Sequence, residues 1–233
     1  KYIPLVNKNN ELVDYASSDR LNFIPLSKPN LKGNELKYLS QCISTNWISS
    51  QGHFVRKFEE KFSKLHENKK CLAVSNGTVA LSLSLLALDI KPGDEIIVPN
   101  LTFAATINVI MHIGAKPVIV DVDPDTWTID PKKIKEVICS KTKGIIIVHL
   151  FGNVCNLDEI LKIVKKYKLN LIEDCAEAIG SRYNNTPVGL FGDCGTFSFY
   201  GNKTITTGEG GMVIFKSKKI YNKAKILRDH GMS

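Results

Sequence analysis

Short apolar runs alternate along most of the chain with amphipathic segments of helical period. Between residues 53 and 65, Phe54, Phe58, Phe62 and Leu65 recur three or four positions apart, with lysine and glutamate between them. This spacing predicts an amphipathic helix that packs one face on a core. From residue 72 onward, runs of isoleucine, valine and leucine take turns with further helical segments. Because such runs are short and unbroken, they are typical of strands buried on both faces.

The alternation predicts a parallel sheet covered by helices. Strands are expected at residues 72–74, 95–99, 117–121, 144–149 and 169–173, and helices at 78–88, 104–113, 131–139 and 157–167. Two more apolar runs, 196–200 and 211–215, predict strands joined by a glycine-rich loop and followed by a basic helix at 220–228. The fold class is therefore α/β, with a mostly parallel central sheet and helices on both faces.

The first 20 residues follow a different pattern. They predict two short strands, 2–6 and 11–15, around an asparagine-rich turn. The segment is too short for a domain, so we expect an N-terminal strand pair or linker at 1–22 and one large domain at 23–233. The strand pair resembles the closing hairpin of a cystathionine-beta-synthase-type module, which suits a linker from an upstream domain. Because the chain starts at Lys1 and stops after a helical pattern, we expect a longer parent polypeptide.

Composition places the chain among ordinary globular proteins. Of its 233 residues, 43% are hydrophobic and 23% are charged, which excludes disordered, collagen-like and coiled-coil classes. The longest apolar run, residues 144–151, is far shorter than the ~18 residues that a membrane span requires. We therefore expect no association with a membrane.

The net charge of +8 raises the question of a polyanionic partner. Lysines are dense at 132–143 and 216–225, but both groups lie beside apolar helical patterns and have no aromatic platform between the charges. Such lysines are typical of solvated helix faces, so no nucleic-acid partner is expected.

Cysteine and histidine usage indicates the compartment and argues against a metal site. The six cysteines are widely spaced and form no C-x-x-C pair, and no signal peptide precedes them. Free thiols in a reducing compartment, the cytoplasm, are the expected state. The five histidines show no H-E-x-x-H or paired spacing, so no metal site is expected.

A lysine in the glycine-rich loop is the first candidate for chemistry. Lys203 follows a predicted strand in the loop 201–211, close in sequence to the aromatic residues Phe197, Phe199 and Tyr200. A free lysine is almost entirely an ammonium at neutral pH, but burial beside apolar rings or another cation favours the nucleophilic amine of Schiff-base lysines. A surface lysine beside a glycine hairpin is the structural alternative.

Two acids at the end of an apolar strand are the second candidate. Glu173 and Asp174 close the predicted strand 169–173, and ligands of open α/β sheets bind beyond the carboxyl ends of parallel strands. One of these acids is placed to accept a hydrogen bond from a protonated heteroaromatic nitrogen. As an alternative, Asp174 would serve as a helix N-cap.

The third candidate is a strand-to-helix turn in residues 74–81, VSNGTVAL. The chain passes through Gly77 into a helix whose first residue is predicted to be Thr78, so free backbone N–H groups and a hydroxyl converge. This arrangement is suited to a phosphate. Because the Walker and G-x-G-x-x-G patterns are absent, neither a nucleoside triphosphate nor NAD is indicated. A plain strand-to-helix turn is the alternative.

Taken together, the three candidates occur in the order found in pyridoxal-5′-phosphate (PLP) enzymes of fold type I. From residue 25 to 231 the chain resembles the sugar-nucleotide aminotransferases of the DegT/StrS family. The resemblance is carried by residues 172–180, IEDCAEAIG, and 196–211, TFSFYGNKTITTGEGG. These segments are most similar to those of members that aminate GDP-4-keto-6-deoxymannose.

The resemblance implies a role for each candidate. Lys203 would form the Schiff base with PLP and then move a proton between the cofactor and the substrate carbon. Asp174 would keep the pyridine nitrogen protonated, so that the ring acts as an electron sink. The remaining cofactor contacts implied are Gly77, Thr78 and Ser198 at the phosphate and Phe103 stacked on the ring. Core packing for Phe103 and an outward-facing strand position for Ser198 are the structural alternatives.

Two positions bear on which member the chain resembles. Glu177 stands where the commoner family pattern has glutamine or histidine, and members similar to this chain also carry glutamate. The resemblance places Glu177 on the phenolate side of the cofactor, where its carboxylate would repel the phenolate unless it is protonated.

A dehydratase relative has histidine in place of Lys203, so Lys203 argues against dehydration. Glu209 is interpreted as a structural loop acid, and no catalytic role is assigned to His230.

The implied reaction is transfer of an amino group from L-glutamate to a nucleotide-linked 4-keto-6-deoxy sugar, for a surface polysaccharide such as O-antigen. The family also implies a homodimer whose sites are completed by the partner subunit, and a smaller C-terminal domain that is absent from this chain. Two alternatives stay open: a C3 aminotransferase or dehydratase acting on another nucleotide sugar, and a catalytically incomplete PLP-binding fragment. The sequence leaves the nucleotide base, the sugar configuration and the aminated carbon open.

Overall fold

The computed structural model describes residues 2–17, 28–50 and 52–231, and it divides the chain into two units, Lys1–Glu35 and Leu36–Ser233. The domain boundary expected after residue 22 falls on residues outside the described ranges. The proposed division at that point therefore stays a prediction.

The N-terminal unit contains an antiparallel hairpin of β1 (Tyr2–Val6) and β2 (Leu12–Ser17). The Asn7 side chain builds its turn, because Asn7 Oδ1 accepts hydrogen bonds from the N–H groups of Asn9 at 2.9 Å and Glu11 at 3.1 Å. Both expected strands are present, although β2 begins one residue later than expected. The resemblance to a cystathionine-beta-synthase-type module stays a prediction.

The second unit is built on a seven-stranded sheet with the spatial order β3-β11-β10-β7-β6-β4-β5. The five strands from β10 to β5 run parallel, and β11 is antiparallel to both of its neighbours. The expected mostly parallel sheet is thus confirmed. Its strands are β3 (Lys70–Val74), β4 (Glu95–Pro99), β5 (Lys116–Val120), β6 (Thr142–Val148), β7 (Asn170–Asp174), β10 (Cys194–Ser198) and β11 (Gly211–Phe215). A small separate hairpin, β8 (Arg182–Tyr183) and β9 (Thr186–Pro187), was not predicted.

Helices connect the parallel strands from β4 to β7, and two of the helices have the bounds that the sequence predicts. None of the helices in the described part of the chain is long and apolar enough to cross a bilayer. The helices are α1 (Glu35–Ser44), α2 (His53–Leu65), α3 (Gly77–Ala87), α4 (Ala105–His112), α5 (Pro131–Val137), α6 (Leu157–Tyr167) and α7 (Lys218–Arg228). The predicted bounds of α2, α6, β1, β4 and β11 are correct, and the other predicted strands and helices differ by a few residues at their ends.

Both faces of the sheet are covered, as the unbroken apolar runs predict. In β6, Ile146 packs in a cluster with residues of α3, α4 and α7. Its neighbours Ile145 and Ile147 point the other way, into a cluster with residues of α5 and α6. Each of these isoleucines is at most 1% exposed, and full burial of such a side chain contributes roughly 1.5–3 kcal/mol.

A third cluster fixes the strand that leads to the lysine loop. Phe62 of α2 contacts Phe197 and Phe199 edge-on, with ring centroids 5.0 and 5.8 Å apart. Both phenylalanines of this strand region are 1% exposed. Phe197 and Phe199 are therefore part of a packed core that holds the start of the loop in place, whereas Tyr200 is exposed.

Candidate functional site

Sheet pairing brings three distant segments to one edge of the sheet. Asp174 is the last residue of β7, and Ser198 is the last residue of the adjacent parallel strand β10. Gly211, the first residue of β11, pairs with Ser198 on one side and with Val74, the end of β3, on the other. The edge where the parallel strands end therefore collects the acid, the start of the lysine loop and the turn into α3.

The turn into α3 forms a tight cradle. Asn76 caps the helix, because its Oδ1 accepts a hydrogen bond from the N–H of Val79 at 2.9 Å. A Cβ added at Gly77 would lie 2.9 Å from Ser198 Cβ, and one added at Gly211 would overlap the carbonyl group of Asn76. Only glycine allows the backbones to approach this closely.

The cradle has the chemistry of an anion site. The first N–H groups of a helix have no acceptor within the helix and carry a partial positive charge. Gly77 is the first residue of α3, the half-buried Thr78 follows it, and the Ser198 hydroxyl lies beside it. The structure thus brings together all three residues expected at a phosphate. The helix begins one residue earlier than predicted.

Asp174 lies at the bottom of the site and is 6% exposed. Its Oδ1 accepts a hydrogen bond from the Ala176 N–H at 3.1 Å, and its Oδ2 accepts one from the Thr106 hydroxyl at 3.2 Å. Burial raises the pKa of Asp174, and these hydrogen bonds and the charge of Lys203 oppose that rise. Asp174 is not a helix N-cap, because the next helix in the described chain begins at Lys218.

The preceding acid, Glu173, has a structural role on the opposite side of the strand. It is fully buried and accepts hydrogen bonds from His149 Nε2 at 3.1 Å and from the Gly189 N–H at 2.9 Å. Because the Cys155 N–H donates to His149 Nδ1 at 3.2 Å, the ring proton lies on Nε2. Two further backbone N–H groups, of residues 191 and 192, also donate to Glu173. Glu173 therefore anchors the segment before β10.

The buried group of His149, Glu173 and Cys175 has its ligand atoms within 4.8 Å of one another. Both ring nitrogens and both carboxylate oxygens already take part in hydrogen bonds. Burial raises the pKa of the Cys175 thiol to about 12, so the thiolate that binds metals is disfavoured. The group does not fit a metal ion.

Lys203 points into the site. Its Nζ lies 3.3 Å from Glu177 Oε1, and the two side chains are only 17% and 27% exposed. The other carboxylate oxygen of Glu177 accepts a hydrogen bond from the Phe151 N–H at 3.0 Å. The charge of Lys203 also acts on Asp174. The interpretation of Lys203 as a surface lysine is therefore wrong.

Phe103 lies just before α4, the helix that carries Thr106. The Thr106 N–H donates to the Phe103 carbonyl at 3.1 Å, which links Phe103 to Asp174 through one residue. The Phe103 side chain is 73% exposed, so it is not core packing. Its ring is therefore largely open to solvent.

Two residues of the site were missed by the sequence analysis. Asn76 had a usable signal, because asparagine just before the first turn of a helix is a preferred N-cap. Thr106 had none: it is 68 positions from Asp174 in the chain, and only the tertiary fold brings the two together.

A family model and a relative of known function both match most of the chain. Residues 29–233 match the model of the DegT/DnrJ/EryC1/StrS aminotransferase family. The chain is 47% identical over 213 residues to GDP-perosamine synthase of Escherichia coli O157:H7, covering 91% of this chain and 58% of that protein.

Two solved structures are similar throughout most of the chain. An aminotransferase from Psychrobacter cryohalolentis is 40% identical with a TM-score of 0.85, covering 89% of this chain and 53% of that one. The PLP-form of Spr1654 from Streptococcus pneumoniae is 33% identical with a TM-score of 0.85, covering 90% and 59%. The chain thus spans little more than half the length of the relatives it matches.

Proposed function

Because the chain belongs to the DegT/DnrJ/EryC1/StrS aminotransferase family, we propose that it forms the cofactor-binding part of a PLP-dependent sugar-nucleotide aminotransferase. The amino group would pass from L-glutamate to a nucleotide-linked 4-keto-6-deoxy sugar. The observation that carries the proposal is the meeting of Lys203, the buried Asp174 and the glycine cradle at one edge of the sheet.

The residues present fit PLP at each of its polar ends. A Cβ at Gly77 would crowd Ser198, so the glycine keeps space beside the helix terminus where a phosphate binds well. Gly77, Thr78 and Ser198 would hold the phosphate. Asp174 is buried with a raised pKa, and a protonated ring nitrogen beside it would offset the cost of burying its charge.

When bound, PLP supplies an electron sink that stabilises negative charge on the substrate carbon. The protein positions and polarises it. Thr106 orients the Asp174 carboxylate through its hydroxyl. The exposed Phe103 would supply an aromatic contact to the cofactor ring. Lys203 would hold the cofactor through its amine and, as a free amine, would carry the proton to and from the substrate carbon. Glu177 lies beside Lys203 and would also contact the cofactor.

For the acceptor we propose GDP-4-keto-6-deoxymannose, aminated at C4 for a surface polysaccharide. Support comes from the name of the Escherichia coli relative, GDP-perosamine synthase. The lysine at position 203 favours amino transfer over the dehydration that a histidine supports. A C3 aminotransferase acting on another nucleotide sugar would share every residue described above, so the choice of acceptor rests on the relatives alone.

We further propose that the working enzyme is a homodimer and that the partner subunit completes each site. The chain covers 58% of the Escherichia coli relative, so that relative has additional length that could form a smaller domain.

All six cysteines are free thiols, which suits a reaction in the reducing cytoplasm.

Product analysis tests the proposal. The full-length protein that contains this chain, loaded with PLP and supplied with L-glutamate, is incubated separately with GDP-, UDP- and dTDP-linked 4-keto-6-deoxy sugars, and amino sugars are detected by mass spectrometry. We expect an amino sugar from the GDP-linked acceptor that is lost in Lys203→Ala and kept in Lys219→Ala, an exposed lysine of α7. An amino sugar only from a dTDP- or UDP-linked acceptor would contradict the acceptor assignment, and none from any acceptor would contradict the aminotransferase proposal.

A further inference from the structure

Glu177 holds a position that the phosphate cradle and Asp174 do not explain. Its two carboxylate oxygens have different partners: Oε1 lies 3.3 Å from Lys203 Nζ, and Oε2 accepts the Phe151 N–H at 3.0 Å. Phe151 has a left-handed backbone conformation, with φ of 51°, and the hydrogen bond that its N–H donates to Glu177 helps to hold it there. One carboxylate oxygen of Glu177 is thus held by the Phe151 N–H, and the other faces Lys203.

The ion pair lies in a partly buried setting, where its charges interact more strongly than in water. The Lys203 and Glu177 side chains are 17% and 27% exposed, against 64% for each partner of the surface pair Lys64–Glu60. Coulomb attraction between unit charges grows as the effective dielectric constant falls.

The other acid near Lys203 does not make the same contact. Asp174 interacts with Lys203 through its charge, but its two oxygens accept hydrogen bonds from Ala176 and Thr106. Glu177 alone has a carboxylate oxygen within ion-pair distance of Lys203 Nζ among the described residues.

We infer that Glu177 is a positioning residue that holds the amino group of Lys203 in an ion pair, and that this pair must open before Lys203 reacts. An ammonium has no lone pair and cannot attack a carbonyl carbon. Glu177 would therefore suppress the reactivity of Lys203 toward electrophiles that do not displace the contact. This inference rests on the proposed function, because it concerns the lysine that would hold the cofactor.

Removing the charge while keeping the shape separates this role from a structural one. In Glu177→Gln the side-chain oxygen can still accept the Phe151 N–H, so the turn at Phe151 keeps its hydrogen bond. The matched control is Glu209→Gln, which removes an exposed acid from the lysine loop. Both variants change the net charge of the protein equally.

The experiment measures acylation of Lys203 in protein freed of cofactor. A small amine-reactive acetylating reagent is added at pH 8, and peptide mass spectrometry follows Lys203 relative to the exposed Lys219. We expect the relative rate at Lys203 to rise severalfold in Glu177→Gln, because the amine no longer has to leave an ion pair, and to be unchanged in Glu209→Gln. An unchanged or slower rate in Glu177→Gln, or an equal rise in both variants, would overturn the inference.

The readout is independent of the proposed reaction. Acetylation requires neither PLP nor a sugar substrate, so a negative result here would leave cofactor binding and amino transfer untouched. Conversely, a protein that never binds PLP would still show whether Glu177 controls the reactivity of Lys203.

Discussion

Gly77, at the start of α3, and Ser198, at the end of β10, approach so closely that a Cβ at position 77 would lie 2.9 Å from Ser198 Cβ. The contact joins the helix N-terminus to the strand that leads to Lys203. The proposed anion site and the strand before Lys203 are therefore packed against each other. A change at Gly77 is expected to disturb cofactor binding, because it acts on Ser198 and on the first turn of α3.

Gly77→Ala is predicted to weaken PLP binding. The added methyl group must push Ser198 away or tilt the first turn of α3, which misaligns the N–H groups that face the phosphate. We expect the dissociation constant for PLP to rise about tenfold or more, equivalent to ~1.4 kcal/mol. Gly201→Ala is the control, because a Cβ there has nothing within 4 Å. Equal PLP affinities for the two variants, measured by fluorescence titration, would contradict the cradle.

Asn76→Ala is predicted to lower both stability and PLP affinity. Loss of the cap on Val79 should reduce the free energy of unfolding by about 1 kcal/mol. The matched variant is Asn156→Ala, because Asn156 caps α6 by accepting the Glu159 N–H at 3.3 Å. Denaturant unfolding should show a similar loss for both, whereas PLP titration should be affected in Asn76→Ala only. A similar loss of PLP affinity in Asn156→Ala would show that stability alone governs binding.

Asp174→Asn is predicted to abolish most activity and yet stabilise the cofactor-free protein. Asparagine has nearly the same shape but no charge to hold a ring nitrogen protonated, so we expect amino transfer to fall on the order of a hundredfold or more. Burial raises the pKa of Asp174, so its ionised form is less favourable in the folded than in the unfolded chain. Removing that charge should raise the melting temperature at neutral pH.

The sign of the pH dependence follows from the same shift. An acid whose pKa is raised by folding binds its proton more tightly in the folded state, so its contribution to stability falls as the pH rises above its unfolded value, about 4. Below that pH both states are protonated and there is no penalty. The gain in melting temperature of Asp174→Asn over the parent should therefore grow between about pH 4 and neutrality. A constant difference across this range would contradict the raised pKa of Asp174.

The sheet and its helices could be predicted because their sequence patterns are local. Unbroken apolar runs mark β6 and β7, and the strict spacing of Phe54, Phe58 and Phe62 marks α2 to the residue. The bounds of α6, β1, β4 and β11 are also as predicted. The ends of the remaining predicted strands and helices differ by a few residues, because tertiary hydrogen bonds rather than side-chain periodicity decide where a strand stops.

The division of labour between Glu173 and Asp174 could not be read from periodicity. Neighbouring residues in a strand point to opposite faces, so the pattern shows that one acid faces the site and one does not. Which is which depends on His149 and on backbone N–H groups that follow much later in the chain. The resemblance to the aminotransferase family selected Asp174, and the buried contacts of Glu173 explain why the other acid is excluded.

The ion pair of Lys203 with Glu177 also lay beyond local patterns. The two residues are 26 positions apart, and the same separation divides Glu177 from Phe151. Phe151 follows the end of β6, Glu177 the end of β7 and Lys203 the end of β10. The sequence could propose both residues but could not show that they touch.

Covalent trapping of the cofactor tests the central claim most directly. The protein is incubated with PLP, reduced with borohydride to make any imine permanent, and digested for mass spectrometry. We expect the phosphopyridoxyl group on Lys203 of the parent protein, and we expect Lys203→Ala to retain none. Labelling of a different lysine, or equal labelling of the parent and of Lys203→Ala, would contradict the assignment of Lys203 as the residue that holds PLP.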